Sequence, residues 1–119
     1  MGINELSLEE KVAQLFIVGV HEKDIDGILE LIKKSKIGGV VLYRRNYDNY
    51  KEMVALVNKI KKANEGNNIP IFIATDQEGG RVNRMPEDVL NLESATKIAK
   101  TDDIEIIKES GKIIGEMLN

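Results

Sequence analysis

Three short apolar runs punctuate the chain: Leu15-Phe16-Ile17-Val18-Gly19-Val20, Val40-Val41-Leu42-Tyr43 and residues 69–74. They are apolar at nearly every position rather than at every second one. That pattern predicts strands buried on both faces, as in a parallel sheet. Between the runs the apolar spacing changes to that of a helix. Ile25, Ile28, Leu29 and Ile32 share one face behind a capping Asp24, and Met53, Val54, Val57 and Ile60 share another behind a capping Asp48. Gly38-Gly39 ends the first of these helices, and Glu65-Gly66-Asn67-Asn68 ends the second. Upstream, Ser7-Leu8-Glu9-Glu10 has the form of a capping box and predicts a short helix. Pro70 stands near the start of the third strand, where a missing amide is tolerated.

After residue 74 the pattern loosens. A loop of mixed polarity covers residues 77–91, and a short helix is expected over 94–99. A last helix, started by Asp102 and Glu105, carries Ile106, Ile107, Ile113, Ile114 and Leu118 on its apolar side. Gly111 and Gly115 within it are expected to allow close helix–sheet contact. The order is β-α-β-α-β-α, which predicts an α/β fold with parallel strands and right-handed crossovers. Three strands leave two unpaired edges, and the last helix lacks the Gly or Pro that usually marks a stop. The expectation is therefore a piece of a larger protein, whose open edges associate, swap or are covered by other segments.

Composition narrows the class. The 119 residues are 42% hydrophobic and 31% charged, with 17 basic and 20 acidic side chains. This is the make-up of a globular domain. No basic patch suggests nucleic acid, and Lys59, Lys61 and Lys62 read as the solvated face of a helix. There is no cysteine, so disulfides and thiolate metal sites are excluded. No apolar run approaches the roughly 20 residues that span a membrane. The first ten residues lack a signal-peptide pattern, and position 6 is Leu, which argues against myristoylation after Gly2. A cytoplasmic protein is expected, although a chain trimmed of its signal would look the same.

The candidate chemistry lies where the third strand ends, in Thr75-Asp76-Gln77-Glu78-Gly79-Gly80-Arg81-Val82-Asn83-Arg84. Ligands of α/β folds bind beyond the carboxyl ends of parallel strands. If strand geometry continues to Glu78, Asp76 and Glu78 point the same way. Such a pair can do acid/base work, hold a cation or bind sugar hydroxyls; equally, Asp76 can cap a turn while Glu78 faces water. Gly79-Gly80 suits a tight turn or a close backbone approach, and fits neither a dinucleotide fingerprint nor a P-loop. Arg81 and Arg84 can grip hydroxyls or anions, or pair with Glu78, Glu87 or Asp88. Arg44-Arg45-Asn46, after the second strand, is expected to be solvated. The lone His21 cannot build a histidine metal site and is expected in a loop or capping role.

The heptapeptide Asp76-Gln77-Glu78-Gly79-Gly80-Arg81-Val82 resembles the signature of glycoside hydrolase family 3, in its bacterial β-N-acetylglucosaminidase (β-hexosaminidase) branch. Residues 8–16, with Leu8-Glu9-Glu10-Lys11-Val12-Ala13-Gln14-Leu15-Phe16, resemble the opening of that family. Gly38-Gly39-Val40-Val41-Leu42-Tyr43 with Arg45-Asn46 resembles its second-strand region. The resemblance implies a TIM-like (β/α)8 barrel, of which residues 1–119 would form the first three βα units of an incomplete barrel. It implies a retaining glycosidase acting on terminal β-GlcNAc of glycans or peptidoglycan fragments, without metal or other cofactor. β-Glucosidase or β-xylosidase activity, or a non-catalytic carbohydrate-binding or assembly role, are the alternatives. Asp76 and Arg84 would contact the sugar, with Glu78, Gly79, Gly80 and Arg81 supporting the loop, the two charged residues mainly by ion pairing. The family's aspartate nucleophile and the branch's histidine–aspartate acid/base have no counterpart here and would lie beyond Asn119. The implied partners are the sugar and the rest of the barrel or another copy of the chain.

Overall fold

The computed structural model describes residues 3–21 and 25–118. Its sheet has three parallel strands, β1 (Ile17–Gly19), β2 (Gly39–Leu42) and β3 (Phe72–Thr75), in the order β1-β2-β3. Val18 pairs with Val40 and Val40 with Ile73, so equivalent positions line up across the sheet. Helix α1 (Leu8–Ala13) precedes β1, α2 (Asp26–Ser35) links β1 to β2, and α3 (Tyr50–Ala63) links β2 to β3. Helices α4 (Ala95–Ala99) and α5 (Ile104–Met117) follow.

Strand pleating decides which side chains meet the helices. Val18, Val40, Leu42 and Ile73 turn toward α2 and α3, where they join Ile32, Leu56, Ile60 and Ala63 in one apolar core. The other face carries Ile17, Gly39 and Phe72 in register. Ile17 and Phe72 are exposed there, and so are Leu15 and Phe16 just before β1. The expectation of strands buried on both faces is thus met on one face only. A run that is apolar throughout has a face for each of two partners, and the described residues supply one.

Helix starts follow side-chain capping. Ser7 accepts from the Glu10 amide while Glu10 accepts from the Ser7 amide at 2.9 Å, completing the expected capping box. A hydrogen bond from Lys36 and the Ser7 amide hold the Glu10 carboxyl below its ordinary pKa. Helix α3 is capped by Asn49, not by Asp48: the Asn49 side chain accepts from the Glu52 amide at 2.9 Å. Helix α5 is likewise capped by Asp103, not Asp102, which instead takes a left-handed backbone. The capping role expected of Asp24 lies outside the described residues. Ser94 caps α4. Lys59, Lys61 and Lys62 are exposed, as a solvated face requires.

Helix α5 does not lie on the sheet. Its main contact is α4, and Ile104, Ile106 and Ile107 are exposed. A Cβ added at Gly111 or Gly115 would meet nothing within 4 Å, so these glycines do not serve close helix–sheet packing. The radius of gyration, 16.7 Å, exceeds the about 13.5 Å of a compact domain of this length. No helix among the described residues is long and apolar enough to cross a membrane.

Candidate functional site

Parallel strands release their chain on one rim. The loops after β1, β2 and β3 all start there, beginning with Val20-His21, Tyr43-Arg44-Arg45-Asn46 and Asp76-Gln77. The register sets Leu42 beside Thr75, so the segments beginning at Tyr43 and Asp76 leave the sheet side by side. An open cavity of about 550 Å³ lies on this rim, lined by Tyr43, Arg44, Arg45, Asp48 and Arg84.

The loop after β2 is built rather than merely solvated. Residues Arg44–Asn46 form a single 3-10 turn. Asn46 is buried; its Nδ2 donates to the Val20 carbonyl at 2.9 Å and its Oδ1 accepts from the Tyr43 amide at 2.7 Å. It therefore staples the end of β1 to the end of β2. Arg45 stacks 4.4 Å above the Tyr43 ring and donates through Nε to the His21 carbonyl, which gives His21 a loop role. Arg44 donates to the Tyr47 carbonyl at 2.7 Å and stands 3.7 Å from Glu87.

Strand β3 ends at Thr75, so strand geometry does not carry Asp76 and Glu78 onto one side. Asp76 instead approaches Arg84, its Oδ2 lying 3.8 Å from Arg84 Nη2. The Asp76 side chain is 58% exposed and that of Arg84 30%. At this separation neither group is saturated by the other, since a charge-assisted hydrogen bond closes to about 2.7–2.9 Å.

The intervening loop turns at the two glycines. Gly79 and Gly80 both have left-handed backbones, with φ of 79° and 59°. They also run against residues 92–94: a Cβ at Gly79 would come within 2.6 Å of the Glu93 carbonyl, and one at Gly80 within 2.8 Å of Ser94 Cβ. Tight turn and close approach are thus both present. The loop is fastened by its backbone, through Glu78 N to Val82 O at 3.0 Å and Gly80 N to Leu92 O at 2.7 Å. Glu78 and Arg81 are exposed, and neither side chain enters an ion pair among the described residues. The expected support by ion pairing is replaced by these main-chain bonds.

Three further residues shape the site. Tyr47 is buried and donates its hydroxyl to the Arg84 carbonyl at 2.8 Å. Burial raises its pKa, with Arg44 and Arg84 acting the other way, so it remains a neutral phenol near pH 7. Gln77 Oε1 accepts from the amides of Arg84 at 2.8 Å and Met85 at 3.3 Å. Asp88 accepts from the first amide of α3, at Tyr50, at 3.0 Å. Tyr47 sits in a polar run, Arg44-Arg45-Asn46-Tyr47-Asp48-Asn49, whose pattern gives no sign of burial. Among the described residues no three carboxylates or imidazoles gather as a metal site would require.

This arrangement has close parallels. A glycoside hydrolase family 3 β-N-acetylglucosaminidase from Paenibacillus sp. str. FPU-7 superposes on 92% of the chain with a TM-score of 0.84 and 30% identity, using 21% of its own length. NagZ from Neisseria gonorrhoeae, solved with N-trifluoroacetyl-D-glucosamine, covers 75% of the chain at a TM-score of 0.63 and 26% identity, using 26% of its length. In sequence, the beta-hexosaminidase of Vibrio cholerae is 32% identical over 90 residues, 75% of this chain and 26% of that protein. The chain thus spans about a quarter of the length of the curated relatives it matches. Its parallel sheet with flanking helices is the α/β arrangement of the N-terminal part of their TIM-like domain, as an incomplete barrel. Residues 7–119 match the glycosyl hydrolase family 3 N terminal domain, and the chain belongs to that family.

Proposed function

We propose that this chain supplies the sugar grip of a retaining exo-β-N-acetylglucosaminidase acting on terminal β-GlcNAc of glycans or peptidoglycan fragments. The observation that carries the reading is the Asp76–Arg84 pair, brought together on the rim of the sheet at 3.8 Å. Asp76, with two acceptor oxygens and a largely exposed carboxylate, suits adjacent sugar hydroxyls; Arg84 offers donors alongside it. Each hydrogen bond to a charged group contributes about 1.5–3 kcal/mol, enough for such a pair to fix a pyranose ring. The relatives' printed names, beta-hexosaminidase and β-N-acetylglucosaminidase, support GlcNAc as the sugar.

Bond cleavage belongs, on this reading, to groups outside these 119 residues: an aspartate nucleophile and a histidine–aspartate acid/base. The two-step displacement would form a glycosyl-enzyme intermediate and release it to water with net retention. The chain would contribute substrate binding and orientation, without metal or cofactor. The test is turnover of p-nitrophenyl-GlcNAc. The purified chain should release no nitrophenol above background. A chimera in which these residues replace the matching segment of the Vibrio cholerae enzyme should release it. Turnover by the chain alone, or a folded but inactive chimera, contradicts the proposal.

A further inference from the structure

We propose that Tyr47 is a positioning residue for Arg84, acting from the neighbouring βα loop. The inference rests on reading Asp76 and Arg84 as the sugar grip.

Arg84 lies in a stretch without helix or strand, so no ladder holds its backbone. Both of its main-chain polar groups are nevertheless held, and both by side chains. Gln77, two residues beyond β3, accepts from the Arg84 N–H at 2.8 Å. Tyr47, in the loop after β2, donates to the Arg84 C=O at 2.8 Å. The arginine peptide is therefore clamped from two loops that diverge from adjacent strands. Tyr47 can act as a clamp because it is itself fixed: its side chain is 1% exposed and belongs to the core shared with α2 and α3. The Arg44 guanidinium holds the Tyr47 carbonyl at 2.7 Å. Immediately after Arg84, Met85 and Pro86 are buried, which anchors the downstream side.

Among the described residues, Gln77 Nε2 and Arg84 Nε are buried without a hydrogen-bond partner. Unsatisfied buried donors are uncommon and concentrate where a structure serves something other than stability. Phenylalanine at position 47 would fill nearly the same volume without a hydroxyl to satisfy. What the hydroxyl adds is a fixed Arg84 backbone, and hence a reproducible place for the guanidinium beside Asp76.

The experiment uses the 15N-labelled chain with Tyr47→Phe, Arg84→Ala and the double variant, each titrated with N-acetylglucosamine by NMR. Tyr47→Phe should keep the amide pattern of the sheet and weaken binding about three- to tenfold, the loss of one hydrogen bond. In the Arg84→Ala background the same change should have no further effect, because it acts through Arg84. Unchanged affinity in Tyr47→Phe beside weakened affinity in Arg84→Ala overturns the positioning role; so does full additivity. Unchanged affinity in Arg84→Ala, or no binding by the parent chain, overturns the sugar-grip reading instead. In that event 15N relaxation decides the clamp alone: the Arg84 amide must gain mobility in Tyr47→Phe, and unchanged order refutes it. Gln77→Met, which removes the other half of the clamp, should reproduce the gain in mobility if Tyr47→Phe fails to fold.

Discussion

Asp76 and Arg84 are seven residues of loop apart, yet the two glycines between them bring the chain back on itself. Gly79 and Gly80 combine left-handed backbone with contact against residues 92–94, so either glycine tolerates a side chain poorly. The motif made this turn legible. It did not reveal Tyr47, whose bond to the Arg84 carbonyl joins residues 37 apart in the chain. Nor did it reveal that Glu78 and Arg81 leave the loop to main-chain bonds, because matching charges in a sequence can equally face water. The buried phenol has a consequence for alkaline stability. Its pKa is raised in the folded chain, so the unfolded chain gives up that proton first. Stability is then lost as pH rises from the ordinary tyrosine value, about 10, through the folded one. Urea midpoints measured across that range should fall more steeply for the parent chain than for Tyr47→Phe. Parallel curves would show that Tyr47 titrates alike in both states.

The positions of all three strands and of the principal helices follow from apolar spacing, while their ends follow from caps. Asp48 and Asn49 are both good capping types, as are Asp102 and Asp103, and composition cannot choose between neighbours. The choice is made by backbone: Asn49 is extended and reaches the Glu52 amide, while Asp48 donates its own amide to the Glu52 carboxylate at 2.8 Å. Asn49→Ala should therefore destabilise the chain by about 1 kcal/mol, read as a lowered urea midpoint at constant slope. Asn49→Asp, which can still cap, should lose much less. Equal losses in the two variants would mean that the side-chain cap contributes little. Burial was less legible than position. Ile17 and Phe72 are apolar and yet exposed, because an apolar strand records both faces of a sheet, whichever partners are present.

At the scale of the molecule the core lies on one side. Helices α2 and α3 cover one face of the sheet, while Ile17 and Phe72 on the other face and Ile104, Ile106 and Ile107 on α5 are exposed. Apolar surface of this kind favours association. Sedimentation velocity of the chain should show concentration-dependent self-association, and Phe72→Lys should shift it toward monomer without changing the circular dichroism. A parent chain that sediments as one monomer at all concentrations and melts cooperatively would exclude this. The proposed function requires the rim of the sheet to grip a sugar. Its most direct test is kcat/KM for p-nitrophenyl-GlcNAc in the chimera with the Vibrio cholerae enzyme, with and without Asp76→Ala. The loss of a charged contact predicts a fall of at least about tenfold, since about 1.4 kcal/mol is a factor of ten. A folded Asp76→Ala chimera with unchanged kcat/KM would contradict the account.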